Sequence, residues 1–156
     1  APNIARGAQK AGRDPADVDI ASLTLCSVSD DRAEAMRQAR ISVGMYACYP
    51  VSNPMVEYLG LTEDRDAVLR AMLAEGPRAL ERTTSDELVE AFSIAGTPDE
   101  CAERLQSYTG VMSHVVLHTP YVPPITQAES AAAFHRNLRA LAPAYRAVSR
   151  SRVPAV

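Results

Sequence analysis

Cysteine is scarce in this chain, and what there is forms no pattern: Cys26, Cys48 and Cys101 are odd in number, and no two have CxxC spacing. That argues against a disulfide framework and reads instead as reduced thiols, each a small buried hydrophobe, in a cytoplasmic protein. Long apolar runs are missing too. No stretch approaches the ~20 residues of a membrane span, and no basic-then-apolar leader opens the chain, so no membrane association is expected. Positive charge is not in excess: the net charge is −3, without the basic patch that DNA or RNA binding requires. Lysine is almost absent, Lys10 standing against fifteen arginines, a bias to which no functional weight attaches. Neither GxGxxG nor GxxxxGK[ST] occurs. The two best helix starts after strands carry Asp30-Asp31 and Asp99-Glu100, so carboxylates stand where a phosphate would need N–H groups and positive charge.

What remains is ordinary globular composition. Hydrophobic residues make up 47% of 156 positions and charged ones 22%, enough for one domain with a real core. Ile4 to Ala11 reads as the end of a helix stopped by Gly12, followed by a Gly-Arg-Asp-Pro turn. A chain that opens inside a helix leads us to expect a fragment or a processed product. Asp19 to Val28 reads as a strand with Ala21, Leu23 and Leu25 on one face and Ser22, Thr24 and Cys26 on the other. Such a strand fits a barrel wall, with helices outside and a constricted interior, and equally a sheet with one wet face. Ser29 or Asp30 caps the next helix, which runs to about Tyr46.

Pro50 and Pro54 break the chain there. Asn53 then caps a short helix over Met55 to Leu59, and helical pieces follow at Glu63 to Leu73, Pro77 to Arg82 and Asp86 to Phe92, the last capped by Ser85. The span 50–92 thus reads as a helical insertion without a convincing strand. A short strand is possible at Phe92 to Ala95. Thr97-Pro98-Asp99-Glu100 has the form of a capping box, with Thr at the N-cap, Pro at N1 and Glu at N3. Its helix carries Cys101, Leu105 and Tyr108 at helical spacing and ends near Gly110. His114 to Thr119 reads as a strand, Pro120 to Pro124 as a breaker run, and a last helix from Thr126 or Gln127 to Leu141 sets Phe134, Leu138 and Leu141 on one face.

Alternating strand and helix predicts parallel βαβ units in an α/β fold. Two firm strands and a third possible one are few beside six or seven helical pieces. A parallel sheet needs cover on both faces, so an incomplete layer is expected, completed by another chain or by more of its own.

Candidate chemistry gathers at one pole. His118 and Thr119 end a strand, where parallel α/β folds bind ligands; Tyr121 shares that rim, and Ser27 ends the first strand at the same pole. For each, a structural role is the plainer reading: a satisfied imidazole, a packing tyrosine, a strand-end serine. His114 and His118 share a face, but their Cα atoms lie roughly 13 Å apart at strand rise, too far for one metal ion. No metal site and no Ser/His/Asp or Cys/His set is expected.

Three segments together resemble the C-terminal part of the luciferase-like monooxygenase family: AGRDPADVDIA (Ala11 to Ala21), VSDDRAEAMRQAR (Val28 to Arg40), and IAGTPDECAERLQSY followed by HVVLHTP. The resemblance runs from about Ala5 to Ala144. It implies the C-terminal portion of a TIM (β/α)8 barrel, with two or three parallel strands: helix end, strand and helix over 5–48, the helical insertion over 50–92, the last helix–strand–helix units over 93–144, and a frayed tail over 149–156. It further implies flavin- or coenzyme F420-dependent oxidoreductase chemistry, with F420 or FMN as cofactor and His118, Thr119, Tyr121 and Ser27 near the cofactor. In that family the early strands supply most catalytic residues; none of those segments is present, so no catalytic residue carries over. The expected partners are a small-molecule substrate, if the full barrel assembles, and either a second copy or an N-terminal half. The other expectation is a non-catalytic homodimeric binding or assembly module built from the same barrel.

Overall fold

A computed structural model describes residues 2–120, 131–132 and 134–142. Tyr121, the start of the last helix and the tail over 149–156 lie outside the described residues.

The described residues form a helix-rich α/β fold with three parallel strands. Helix α1 (Pro2–Lys10) stops at Gly12, whose φ of +69° only glycine adopts cheaply. Strand β1 (Ala21–Val28) follows, then α2 (Arg32–Ala47). The N-cap of α2 is Asp31, whose carboxylate accepts from Ala33 N at 2.9 Å, rather than the expected Ser29 or Asp30. Ser29 is still engaged by the strand: its N–H donates to Gly96 O, and its hydroxyl accepts from Asp31 N.

The insertion contains α3 (Asn53–Tyr58), α4 (Thr62–Glu75), α5 (Leu80–Thr83) and α6 (Asp86–Phe92), with no strand among them, as the sequence predicts. Asn53 opens α3 rather than capping it; Ser52 is the cap residue. Ser85 caps α6 as read. The possible third strand is real: β2 spans Ser93–Gly96. The capping box is complete, Thr97 Oγ1 accepting from Glu100 N while Glu100 Oε2 accepts from Thr97 N at 2.8 Å, and it starts α7 (Pro98–Gln106). Strand β3 (His114–His118) and a helix over 134–142, here α8, complete the described chain.

The sheet order is β2-β1-β3. Residues Leu25–Val28 of β1 pair with β2, and Ala21–Leu25 pair with β3. The outer strands are thus staggered to opposite ends of β1 and overlap only at Leu25. Right-handed crossovers that travel in opposite directions along a sheet put their helices on opposite faces. The two cores follow that rule. Leu25 packs with Met36, Ala39, Val43, Val68, Leu80, Leu88 and Val89 from α2, α4, α5 and α6. On the opposite face Cys26, Val28 and Ile94 pack with Cys101, Leu105 and Leu141 from α7 and α8. The carboxyl half of β1 therefore carries helices on both faces. Towards its amino end Leu23 stays 70% exposed beside its register partner Val116 at 55%.

Arginines of α2 tie the insertion down. Arg32 reaches Glu90 and Glu100, Arg40 reaches Asp86, and Arg37 bridges Glu34 and Glu81. The Arg37 guanidinium and the Gln38 amide hold the Glu34 carboxyl at about 2, against a usual 4.5. A carboxyl depressed in the folded state stabilises fully above its unfolded pKa, and that contribution is lost as pH falls through the folded value. Stability should therefore drop between about pH 4.5 and 2, and Glu34→Gln should flatten that limb of a pH series of urea melts. At neutral pH the same substitution should cost less than ~1 kcal/mol, since the pair is part-exposed.

Candidate active-site wall at the end of β3

Strand β3 stops at His118, level with Leu25 in mid-β1. Beyond that level no strand among the described residues lies beside that edge of β1, and α8 fills the place. Asn137, 5% exposed, donates Nδ2–H to Cys26 O at 2.7 Å and accepts from Val28 N at 3.2 Å. One side chain thus continues the ladder that β3 leaves off, satisfying two buried backbone groups. Sequence reasoning missed Asn137. Its signal was a lone amide beside Leu138 and Leu141 on the apolar side of a helix.

The notch between β3 and α8 is a cavity of about 520 Å3, within the ~300–1,000 Å3 of ligand pockets. Val115, Leu117, Phe134, Leu138 and Leu141 give it apolar walls; His118, Thr119 and Asn137 give it polar edges. It lies between β1 and β3, where a 2-1-3 sheet reverses its direction of winding. Open α/β sheets bind ligands at that switch point, outside the carboxyl ends of the strands.

His118 stands between two hollows. On the other face it borders a smaller one of about 220 Å3 with Leu23, Leu25, Tyr46, Ser52 and Phe92. The Tyr46 ring meets it edge-on at 6.1 Å and meets Tyr49 at 6.0 Å. Its Nδ1 lies 3.4 Å from Thr119 O; donation there leaves Nε2 an acceptor. His114, at the other end of the strand, contacts Asp19 at 2.9 Å. Among the described residues no cluster of three or more His, Cys, Asp or Glu could hold a metal.

The structure brings His118 and Thr119 to one cavity and keeps Ser27 apart. Ser27 is fully buried on the face of β1 that carries Leu25, its hydroxyl without a hydrogen-bond partner among the described residues. Tyr121 lies outside the described residues. The described lining fits a planar, largely apolar ring with a hydrogen-bonding edge. It does not fit an anion, since no Arg or Lys among the described residues lines the cavity and the Asn137 amide is committed to β1.

Residues 1–114 match the family model described as luciferase-like monooxygenase. The chain belongs to that family. The 5,10-methylenetetrahydromethanopterin reductase of Methanolobus tindarius is 32% identical over 123 residues, covering 77% of this chain and 37% of the relative. The reductase of the same name from Archaeoglobus fulgidus is 35% identical over 129 residues, covering 78% and 38%. Among solved structures, the coenzyme F420 dependent tetrahydromethanopterin reductase from Methanopyrus kandleri, a TIM-barrel fold, aligns with TM-score 0.67 at 25% identity, covering 85% of this chain and 37% of that one. The chain spans a little over a third of the length of these relatives. No helix among the described residues is long and apolar enough to cross a membrane.

Proposed function

We propose that this chain supplies one wall of the cofactor and substrate pocket of a luciferase-like, F420-dependent oxidoreductase, and is not catalytic alone. The observation that carries this reading is the apolar cavity at the β1/β3 switch point, polar only at His118, Thr119 and Asn137. F420 is favoured over FMN because a solved relative is described as F420 dependent. The deazaflavin ring, when bound, supplies the hydride chemistry. The part of this chain is to pack against the ring through Val115 and Leu117, to orient it through His118 and Thr119, and to exclude water with Phe134 and Leu138. The relatives point to a 5,10-methylene tetrahydropterin as the substrate class. Charged tails of either molecule are held by residues beyond the described lining.

A second reading, a homodimeric binding or assembly module, is favoured by the bare pair Leu23 and Val116 and the neighbouring rings of Tyr46 and Tyr49, 38% and 47% exposed. One titration separates the two. The 156-residue chain, mixed with oxidised F420 or with FMN, should show no saturable fluorescence change at micromolar concentration, and co-expression with early barrel strands should restore one. Micromolar binding by the chain alone would overturn the wall reading. A sedimenting dimer that Leu23→Glu splits, unaffected by early strands, would support the module instead.

A further inference from the structure

One edge of β1 is occupied end to end by segments from far along the chain, and the fit is poor. Ile20 O accepts from Ser113 N at 2.7 Å, residues 21–25 pair with β3, and Asn137 takes Cys26 O and Val28 N. The seat is longer than the strand in it: β1 has eight residues and β3 five. Cover is thin as well. The sequence HVVLH has the continuous apolar centre of a parallel strand that is buried on both faces. Yet no residue of β3 is buried, whereas residues 24–28 of β1 all are.

The strand order also departs from that of the fold. In a (β/α)8 barrel each strand is followed by a helix and then by the strand beside it, so three successive strands lie in the order 1-2-3. Here the order is β2-β1-β3, although the solved relative is a TIM barrel. Barrel order would place β3 on the outer edge of β2, where no strand among the described residues lies. It would give the outer edge of β1 to a strand from outside this chain. Such a strand has a source, because this chain covers only 37% and 38% of two reductase relatives.

We propose that the edge of β1 held by β3 is the docking seat for a parallel strand from the remainder of the barrel, and that β3 moves with α8 to the outer edge of β2 when that strand arrives.

This exchange rests on the chain being part of a larger barrel, as the wall reading does, and not on which cofactor binds. Little holds β3 in place beyond its ladder: the Ile20–Ser113 link and the contact of His114 with Asp19, both of whose side chains are exposed, a kind of pair worth little. The pocket wall travels intact. Val115, Leu117 and His118 lie on β3, Phe134 and Leu138 on α8, and of the cavity lining only Cys26 stays behind on β1. The incoming strand takes over the backbone groups that Asn137 now satisfies at Cys26 and Val28, so neither is left unpaired.

The test pins β3 where it is. Leu23 and Val116 are register partners, and adjacent strands lie ~5 Å apart, a spacing that a disulfide can span. In barrel order the two would lie two strands apart, ~10 Å, beyond its reach. The 156-residue chain carrying Leu23→Cys and Val116→Cys should form this bond on mild oxidation, read as a linked peptide on a non-reducing map. It is then mixed with the part of the Methanolobus tindarius reductase that this chain does not match. The wild type and the reduced double variant should sediment as a complex with that segment. The oxidised variant should bind more than about tenfold more weakly and recover with dithiothreitol. Once in the complex, the reduced variant should no longer crosslink. Failure of the linked peptide to form, equal binding by pinned and reduced chains, or no complex at all would overturn the proposal. Hydrogen exchange on the wild-type chain alone decides the matter even if the added segment folds poorly: β3 amides should exchange about tenfold faster than those of β2, and equal protection would count against the seat. Oxidised F420 added to the complex reports separately on the wall reading. Strand exchange without F420 binding would leave the seat standing and the wall reading fallen; F420 binding with the pinned chain would do the reverse.

Discussion

Gly44→Val should destabilise the chain by about 3 kcal/mol, the upper range for overpacking a filled core, although valine forms helix better than glycine does. Gly44 lies inside α2 where that helix crosses α4 and α5. A Cβ added there would sit 2.5 Å from Thr84 Oγ1, 3.2 Å from Val68 Cγ1 and 3.3 Å from Leu80 Cβ. Val68 and Leu80 are fully buried and Thr84 is nearly so, so none can swing into solvent. Gly44→Ala should cost less, about 1 kcal/mol, because overpacking is partly offset by a helix-propensity gain of about that size. The closest atom also supplies an internal control. Thr84 Oγ1 is buried without a hydrogen-bond partner among the described residues, so Thr84→Ala alone should be near neutral. In the Gly44→Ala background it should recover most of the loss. A double-mutant cycle by urea unfolding checks this; two additive losses would sink the account.

Asn137→Ala should cost about 2–6 kcal/mol, the sum for two buried backbone groups each left without a partner at ~1–3 kcal/mol. The groups are Val28 N–H and Cys26 C=O. Asn137→Asp keeps the acceptor for Val28 and loses the donor for Cys26, so its loss should be equal or larger, with a carboxylate facing a carbonyl. The loss should also be local: hydrogen exchange at Val28 and limited proteolysis at the start of α8 should change before the α2 core does. Equal protection in wild type and variant would show that α8 is held by Leu141 and its neighbours alone.

Local features were the legible ones. The Thr97 capping box, the Ser85 cap, the turn at Gly12 and the all-helical insertion each follow from residues within a few positions of one another, and each is as read. The cap of α2 was off by a residue or two because the strand keeps Ser29, which no local rule reveals. Strand order was not legible, since parallel pairing depends on contacts between β1 and segments far along the chain. Asn137 was hidden for the same reason: its task exists only because β3 ends level with Leu25. His118 and Thr119 were read from their place at a strand end. That both line one cavity depends on the docking of α8.

The stagger of β2 and β3 about Leu25 has a consequence for how the chain is made. The link from Ile20 to Ser113 that seats β3 beside β1 joins residues 93 positions apart. At ~5–20 residues per second of synthesis, the amino half of β1 waits on the order of 5–20 seconds with that edge bare. For that interval Leu23 and its unpaired amides form an exposed apolar strand edge, the kind that recruits other chains. Birth of the protein at the ribosome, more than the finished fold, is where this segment is most vulnerable to aggregation.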